Sequence, residues 1–150
     1  GAIPIPCDLG GMKNFVRSVE DKIRRNYSVT IYPEAHIWPY YTGIRPFKAV
    51  SFQYPVKLDC PVFCLTNTYH RRENRPGKVN IVTYIDGPFF PDGSLKPKER
   101  QQKLRDQVYQ CMVERSRESN YEVIAYRRAE PQGQSAVRSD ETEKNNRTEA

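Results

Sequence analysis

An α/β fold, with a central mixed sheet flanked by helices, is the class this chain predicts, and three observations carry it. A helical stripe over 12–23 is followed at once by a β-branched run at 28–32. An alternating apolar pattern covers 79–86, and a second helical stripe opens at Pro97. Strands and helices therefore alternate, with no internal repeat and no domain boundary before about residue 128.

The elements follow in order. Ile3–Ile5 reads as the end of a strand and Asp8-Leu9-Gly10-Gly11 as a turn. From Met12, the apolar residues Met12, Phe15, Val16, Val19 and Ile23 fall at offsets 0, 3, 4, 7 and 11, the spacing of one helix face. Lys13, Arg17, Glu20, Asp21, Arg24 and Arg25 occupy the other face, and Asn26 is the expected stop. Ser28-Val29-Thr30-Ile31-Tyr32 then reads as a buried strand. That would leave Glu34 just past a strand's C-terminal end, where open α/β sheets place their ligands.

Phe47–Tyr54 fits either helix or strand. Val62–Thr66 and Val79–Asp86 read as strands, the second with Val79, Ile81 and Ile85 on one face. The charged segment Arg71–Lys78 joins them as a loop, and Asp86-Gly87-Pro88 and Pro91-Asp92-Gly93 read as turns. Pro97 suits the first turn of a helix, where its missing amide hydrogen has no intrahelical partner to lose. Leu104, Val108, Cys111 and Met112, at offsets 0, 4, 7 and 8, carry that helix to an end expected near Ser119. Tyr121–Tyr126 is a short final strand.

Composition bounds the partners. With 37% apolar residues and a mean hydropathy of −0.79, the chain buries only a modest core. The stretch 129–150 has no aromatic residue and one valine, so it is expected to be a disordered polar tail. Its five acids against three bases leave it at −2, so residues 1–128 carry +8 against a whole-chain charge of +6. Such a charge favours phospholipid headgroups, the phosphates of a CoA thioester, or nucleic acid. No apolar run approaches the roughly 20 residues of a membrane span. Cys60 and Cys64, four apart on an extended strand, would sit about 13 Å from each other, too far for a disulfide or a shared ion. They read as buried reduced thiols, fitting a reducing, cytosol-facing compartment.

Residues 31–45 concentrate the chemistry: a carboxylate, an imidazole and a guanidinium share one aromatic-rich, proline-punctuated loop. Glu34 either binds a ligand or caps loop amides and pairs with Arg45. Arg45 offers a planar fork for two phosphate oxygens, or equally a surface partner for Glu34. His36 reads first as a hydrogen-bonded structural histidine, since no metal spacing or nucleophile accompanies it. Trp38, Tyr40 and Tyr41 fit an interfacial collar, a base-stacking surface, or simple packing of the loop over the sheet.

The run Ile31-Tyr32-Pro33-Glu34 resembles the Phe-Pro-Glu-Gly-Thr-Arg block of the glycerolipid acyltransferases, which acylate lysophosphatidic acid and related lysophospholipids. Gly1-Ala2-Ile3-Pro4-Ile5 resembles the preceding Gly-x-Ile-x-Ile block. Cys60-Pro61-Val62-Phe63-Cys64, with Pro61 in place, resembles the later Val-Pro-Val-x-Pro strand. The three stand in the family's order over residues 1–128. Two departures accompany them: Ala35-His36-Ile37 replaces Gly-Thr-Arg, and no His-x-x-x-x-Asp occurs, since the fifth residue after His36 is Tyr41 and after His70 is Arg75.

The resemblance implies that residues 1–128 form the C-terminal part of an acyltransferase-like α/β domain, with no catalytic residue of its own. It favours helix over strand for Phe47–Tyr54. Glu34, Arg45 and His36 would line the acyl-acceptor site, supported by Tyr32, Pro33 and Pro61. Acyl-CoA or acyl carrier protein would be the donor and a lysophospholipid the acceptor, at the cytoplasmic face of a membrane, with no metal or cofactor. The rival from another class is a basic, tyrosine-rich nucleic-acid-binding module. No RNP-type Gly-Phe-Gly-Phe run, KH-type Gly-x-x-Gly loop or zinc finger accompanies the charge, so nucleic acid is not favoured.

Residues 129–150 offer little apolar area against an ordering cost of about 1 to 2 kcal/mol per residue. Limited proteolysis is expected to trim them first. Cleavage inside 1–128 ahead of the tail would contradict the boundary.

Overall fold

The protein is described by a computed structural model covering residues 2–4 and 8–127. It is a small mixed α/β domain: helix α1 (Leu9–Arg24), a 3-10 turn (Ala49–Phe52) running into α2 (Gln53–Leu58), strands β1 (Val62–Arg71) and β2 (Val79–Phe89), and α3 (Pro97–Ser116). The expected tail at 129–150 lies outside the described residues, as do Gly1 and residues 5–7. Ile3 and Pro4 form no strand. Among the described residues no helix is long and apolar enough to cross a membrane.

The expected central mixed sheet is instead a two-stranded antiparallel hairpin. Leu65 pairs with Ile85, Asn67 with Thr83 and Tyr69 with Ile81, and the charged segment from Arg72 to Lys78 makes the turn between the strands. Both strands outrun their expected ends. Gly87 is one reason. It continues β2 instead of turning, with φ +128°, and an added Cβ would lie 2.8 Å from the Val62 carbonyl oxygen. That close approach sits where the register slips between Val62 and Cys64.

The β-branched run 28–32 is not a strand. A strand is fixed by its partner, and the run has none among the described residues; Ile31 and Tyr32 are exposed. One edge of β1 is occupied elsewhere: Asn120 and Tyr121 donate backbone hydrogen bonds to the Tyr69 carbonyl at 3.0 and 3.1 Å. Tyr121 opens the segment Tyr121–Tyr126 expected as a final strand, which runs as irregular chain instead. Phe47–Tyr54 resolves as two residues of irregular chain, then the 3-10 turn, then the start of α2, so the helical reading holds from Ala49 onward.

α1 begins where Asp8 caps it, Oδ1 accepting from the Gly11 amide at 2.6 Å, and ends at Arg24, with Asn26 just beyond the Arg25 cap left-handed at φ 60°. Its stripe buries Val19 and sets Phe15 edge-on to Tyr54 of α2 at 6.2 Å. α3 starts at Pro97 as expected and stops at Ser116. Leu104, Val108 and Met112 face the hairpin and, with Phe47, Phe52 and Cys64, form the core.

That packing decides which face of β2 is buried. Cys64, Thr66 and Thr68 point at the core, so across the pleat Val82, Tyr84 and Asp86 turn inward. Ile81 and Ile85 lie exposed on the outer face with Phe63 and Leu65. Alternation in β2 is apolar on both faces, so periodicity alone could not choose between them.

Thr66 is 1% exposed, and its Oγ1 has no hydrogen-bond partner among the described residues. Thr68 beside it is satisfied, contacting His70 Nε2 at 2.7 Å and the Val82 carbonyl at 3.2 Å. Replacing an unpaired buried hydroxyl with a methyl removes a desolvation penalty, so Thr66→Val is expected to raise stability by about 1 kcal/mol. The readout is the denaturant midpoint at unchanged m-value. A lowered midpoint would mean that the hydroxyl has a partner.

Candidate functional site

The Glu34 loop is built from contacts that span it. Glu34 Oε2 accepts from the Arg45 backbone amide at 2.8 Å, and Arg45 Nη2 donates to the carbonyls of Glu34 and of His36, the latter at 2.9 Å. Arg45 Nε lies 3.9 Å from Glu34 Oε2. The carboxylate and guanidinium are thus adjacent and both half-buried, and each is partly consumed in closing the loop. Glu34 Oε1 and Arg45 Nη1 have no hydrogen-bond partner among the described residues.

The backbone inside this closure is strained. Ala35 and Tyr40 are left-handed, at φ 64° and 56°, a region that costs a non-glycine residue roughly 1 to 2 kcal/mol. Local hydrogen bonds, Ala35 N to the Tyr32 carbonyl at 3.2 Å and His36 N to the Glu34 carbonyl at 2.8 Å, turn the chain there. Such strain persists only where surrounding contacts over-determine the conformation.

Those contacts are aromatic. The Arg45 guanidinium lies over the Trp38 ring at 4.9 Å. Trp38 stacks on Tyr126 at 5.0 Å, meets Tyr41 edge-on at 5.2 Å, and Tyr40 meets Tyr69 of β1 at 5.7 Å. Of Trp38, Tyr40 and Tyr41, Tyr40 packs edge-on against a ring of the sheet, while Trp38 and Tyr40 both remain partly exposed. Burial first, and then the Glu34 carboxylate, push the Tyr69 phenol above its ordinary range, so it stays protonated at neutral pH.

The sequence-predicted residues divide accordingly. Glu34 and Arg45 are brought together. His36 contributes its carbonyl, but its imidazole is exposed and hydrogen-bonds to no described residue, unlike the structural histidine expected. Pro33 sits half-buried in the turn, while Tyr32 and Pro61 are exposed. Glu34 does not follow a strand, because 28–32 is not one. Tyr69 and Tyr126 complete the site and were not anticipated; nothing local to either residue signals it. A concave region of about 550 Å³ lies at the hairpin turn, lined by Arg71, Arg72, Glu73, Asn74, Arg75 and Asn80.

A second cluster lies on the inner face of the hairpin. Cys64 Sγ is 3.8 Å from Cys111 Sγ, and the Asp86 carboxylate lies within 4.8 Å of both thiols. Cys111 sits on α3, so spacing along the chain could not reveal this pairing. Burial, reinforced by Cys111, pushes the Cys64 thiol up to about 12, which makes it a poor nucleophile. Asp86 is gripped by Arg115, Nε to Oδ2 at 3.0 Å and Nη2 to Oδ1, and Arg115 also lies over the Tyr84 ring at 4.3 Å. The positive charge that a cation would supply to Asp86 is thus already in place.

No family model, no curated protein and no solved structure matches this chain.

The Arg115 grip holds the Asp86 carboxyl below its ordinary range and raises Arg115 above its own. A depressed carboxyl contributes stability that is complete above the unfolded pKa of about 3.9 and is lost as pH falls through the lower folded value. The melting-temperature gap between the protein and an Asp86→Asn variant is therefore expected to close as pH is lowered from about 6 to about 2. A gap constant over that interval would exclude Asp86 as the titrating group.

Proposed function

We propose that this chain is part of a glycerolipid acyltransferase-like enzyme that moves a fatty acyl group from acyl-CoA or acyl carrier protein to a lysophospholipid hydroxyl. The observation that carries this reading is the closed 34–45 loop, which holds a carboxylate and a guanidinium side by side with Glu34 Oε1 and Arg45 Nη1 making no hydrogen bond among the described residues. A lysophospholipid presents the complement: a glycerol hydroxyl for Glu34 Oε1 and a phosphate oxygen for Arg45 Nη1. The order of the three sequence blocks supports the same family.

In the transfer, the acceptor oxygen bonds to the thioester carbonyl carbon, the carbon–sulfur bond breaks, and the hydroxyl proton is removed by a general base. No His-x-x-x-x-Asp occurs in the chain, so on this reading the base comes from polypeptide outside these residues. Glu34 and Arg45 orient the acceptor, an entropic contribution to rate rather than a chemical one. The basic charge of residues 1–128 and the exposed Tyr32 and Ile37 beside the loop suit a phospholipid surface, which we assign to the cytoplasmic face of a membrane.

Residues 1–150 alone are expected to turn over no acyl-CoA. In the polypeptide carrying the base, Arg45→Lys keeps the charge but loses the fork, and Glu34→Gln keeps the shape but loses the charge. Each is expected to lower acceptor kcat/KM by roughly tenfold, the loss of one charge-assisted hydrogen bond, with donor KM unchanged. Steady-state kinetics with acceptor and donor varied separately is the measurement. Near wild-type acceptor kinetics in both variants would remove the loop from the binding site.

A further inference from the structure

We propose that Tyr126 is a positioning residue, a strap from the chain beyond α3 that holds the 34–45 loop in the geometry pairing Glu34 with Arg45. Its role at an acceptor site rests on the reading above; its role in holding the loop does not.

Two anchor points define the strap. At the first, the chain leaving α3 is fixed to β1: Ser119 Oγ accepts from the Tyr69 amide at 3.2 Å, Asn120 Oδ1 accepts from the Arg71 amide at 3.0 Å, and the Arg71 guanidinium lies over the Tyr121 ring at 5.3 Å. At the second, Tyr126 reaches the loop. Its ring stacks on Trp38 at an interplanar angle of 22°, meets Tyr41 at 90° and 5.5 Å, and its hydroxyl donates to the Pro39 carbonyl at 2.9 Å.

The loop needs such a hold. It carries two left-handed non-glycine residues, and Tyr40 is one position from the carbonyl that Tyr126 grips. Arg45 lies over the same Trp38 ring that Tyr126 stacks against, so the indole passes the position of the strap to the guanidinium. Aromatic pairs of this kind stabilise beyond their area burial, by an amount comparable to the cost of one left-handed residue. Without Tyr126 the remaining contacts hold the indole from one side fewer, and the loop gains access to relaxed conformations in which Glu34 and Arg45 separate.

Trp38 is the single tryptophan of the chain, so the loop reports on itself. In the 150-residue protein, Tyr126→Ala is expected to shift Trp38 emission to longer wavelength and increase its quenching by acrylamide, with little change in far-ultraviolet circular dichroism. Tyr126→Phe keeps the stack, loses the Pro39 bond and is expected to lie between. If Tyr126→Ala loses helical signal, Tyr126→Leu replaces it, retaining bulk without a ring. Unchanged emission and quenching in a folded Ala or Leu variant would overturn the strap.

In the acyl-transferring polypeptide, the same substitution is expected to raise acceptor KM about fivefold, the size of one lost hydrogen bond, while kcat and donor KM hold. An equal rise in both KM values would mark general destabilisation and overturn the positioning role. Failure of the acceptor reading is separable. It would appear as wild-type acceptor kinetics in Glu34→Gln and Arg45→Lys, and the emission response of Tyr126→Ala decides the strap in either event.

Discussion

One helix lying across one face of a hairpin is the contact on which the rest of this structure depends. Two antiparallel strands alone are marginal in water, and β1 and β2 stand because Leu104, Val108 and Met112 of α3 cover Cys64, Thr66 and Thr68 and close the core with Phe47 and Phe52. That contact fixes which way every side chain of the hairpin points. It turns Asp86 inward, where Arg115 of the same helix meets it, and it brings Cys111 against Cys64. It also leaves Phe63, Leu65, Ile81 and Ile85 on the opposite face, exposed among the described residues.

The candidate site is organised differently. Its 34–45 loop contains no strand and no helix, and its order comes from side chains that bridge distant positions: Arg45 across the loop to Glu34, Tyr40 to Tyr69 of β1, and Trp38 to Tyr126. The strain at Ala35 and Tyr40 is the counterpart of those bridges, since a loop free to relax would leave the left-handed region. Because several of its contacts terminate on β1 and on the chain beyond α3, the loop inherits its position from the hairpin–helix packing. Site and core are therefore coupled through Tyr69, which belongs to β1 and faces the loop.

The helices were legible because their information is local. Offsets 3, 4, 7 and 11 from Met12 and 4, 7 and 8 from Leu104 predict two amphipathic helices, Asn26 signals the end of α1, and Pro97 marks the start of α3, whereas Asp8–Gly11, read as a turn, proves to be the cap and first turn of α1. The hairpin strands were legible in existence but not in extent or facing. Apolar residues occupy both faces of β2, so only the partner helix could select the inner one. The run 28–32 has the residue types of a strand and lacks the partner that would make it one. Its expected place in a mixed sheet was a statement about another segment, which propensity does not carry.

For the site, the sequence determined which groups are present: a carboxylate at Glu34, a guanidinium at Arg45 and a concentration of aromatic rings between them. It also fixed the alternatives for Glu34 and Arg45, ligand binding or mutual pairing, since both follow from charge and proximity along the chain. What only the tertiary structure decided is that the two pair through backbone as well as side chain, and that His36 enters by its carbonyl alone. It also decided that a tyrosine 88 positions beyond Trp38 completes the cluster. The physical reason is range. Helical periodicity and capping act over one turn and are written in neighbouring residues, whereas a loop without repeating hydrogen bonds takes its shape from whatever the folded chain brings against it.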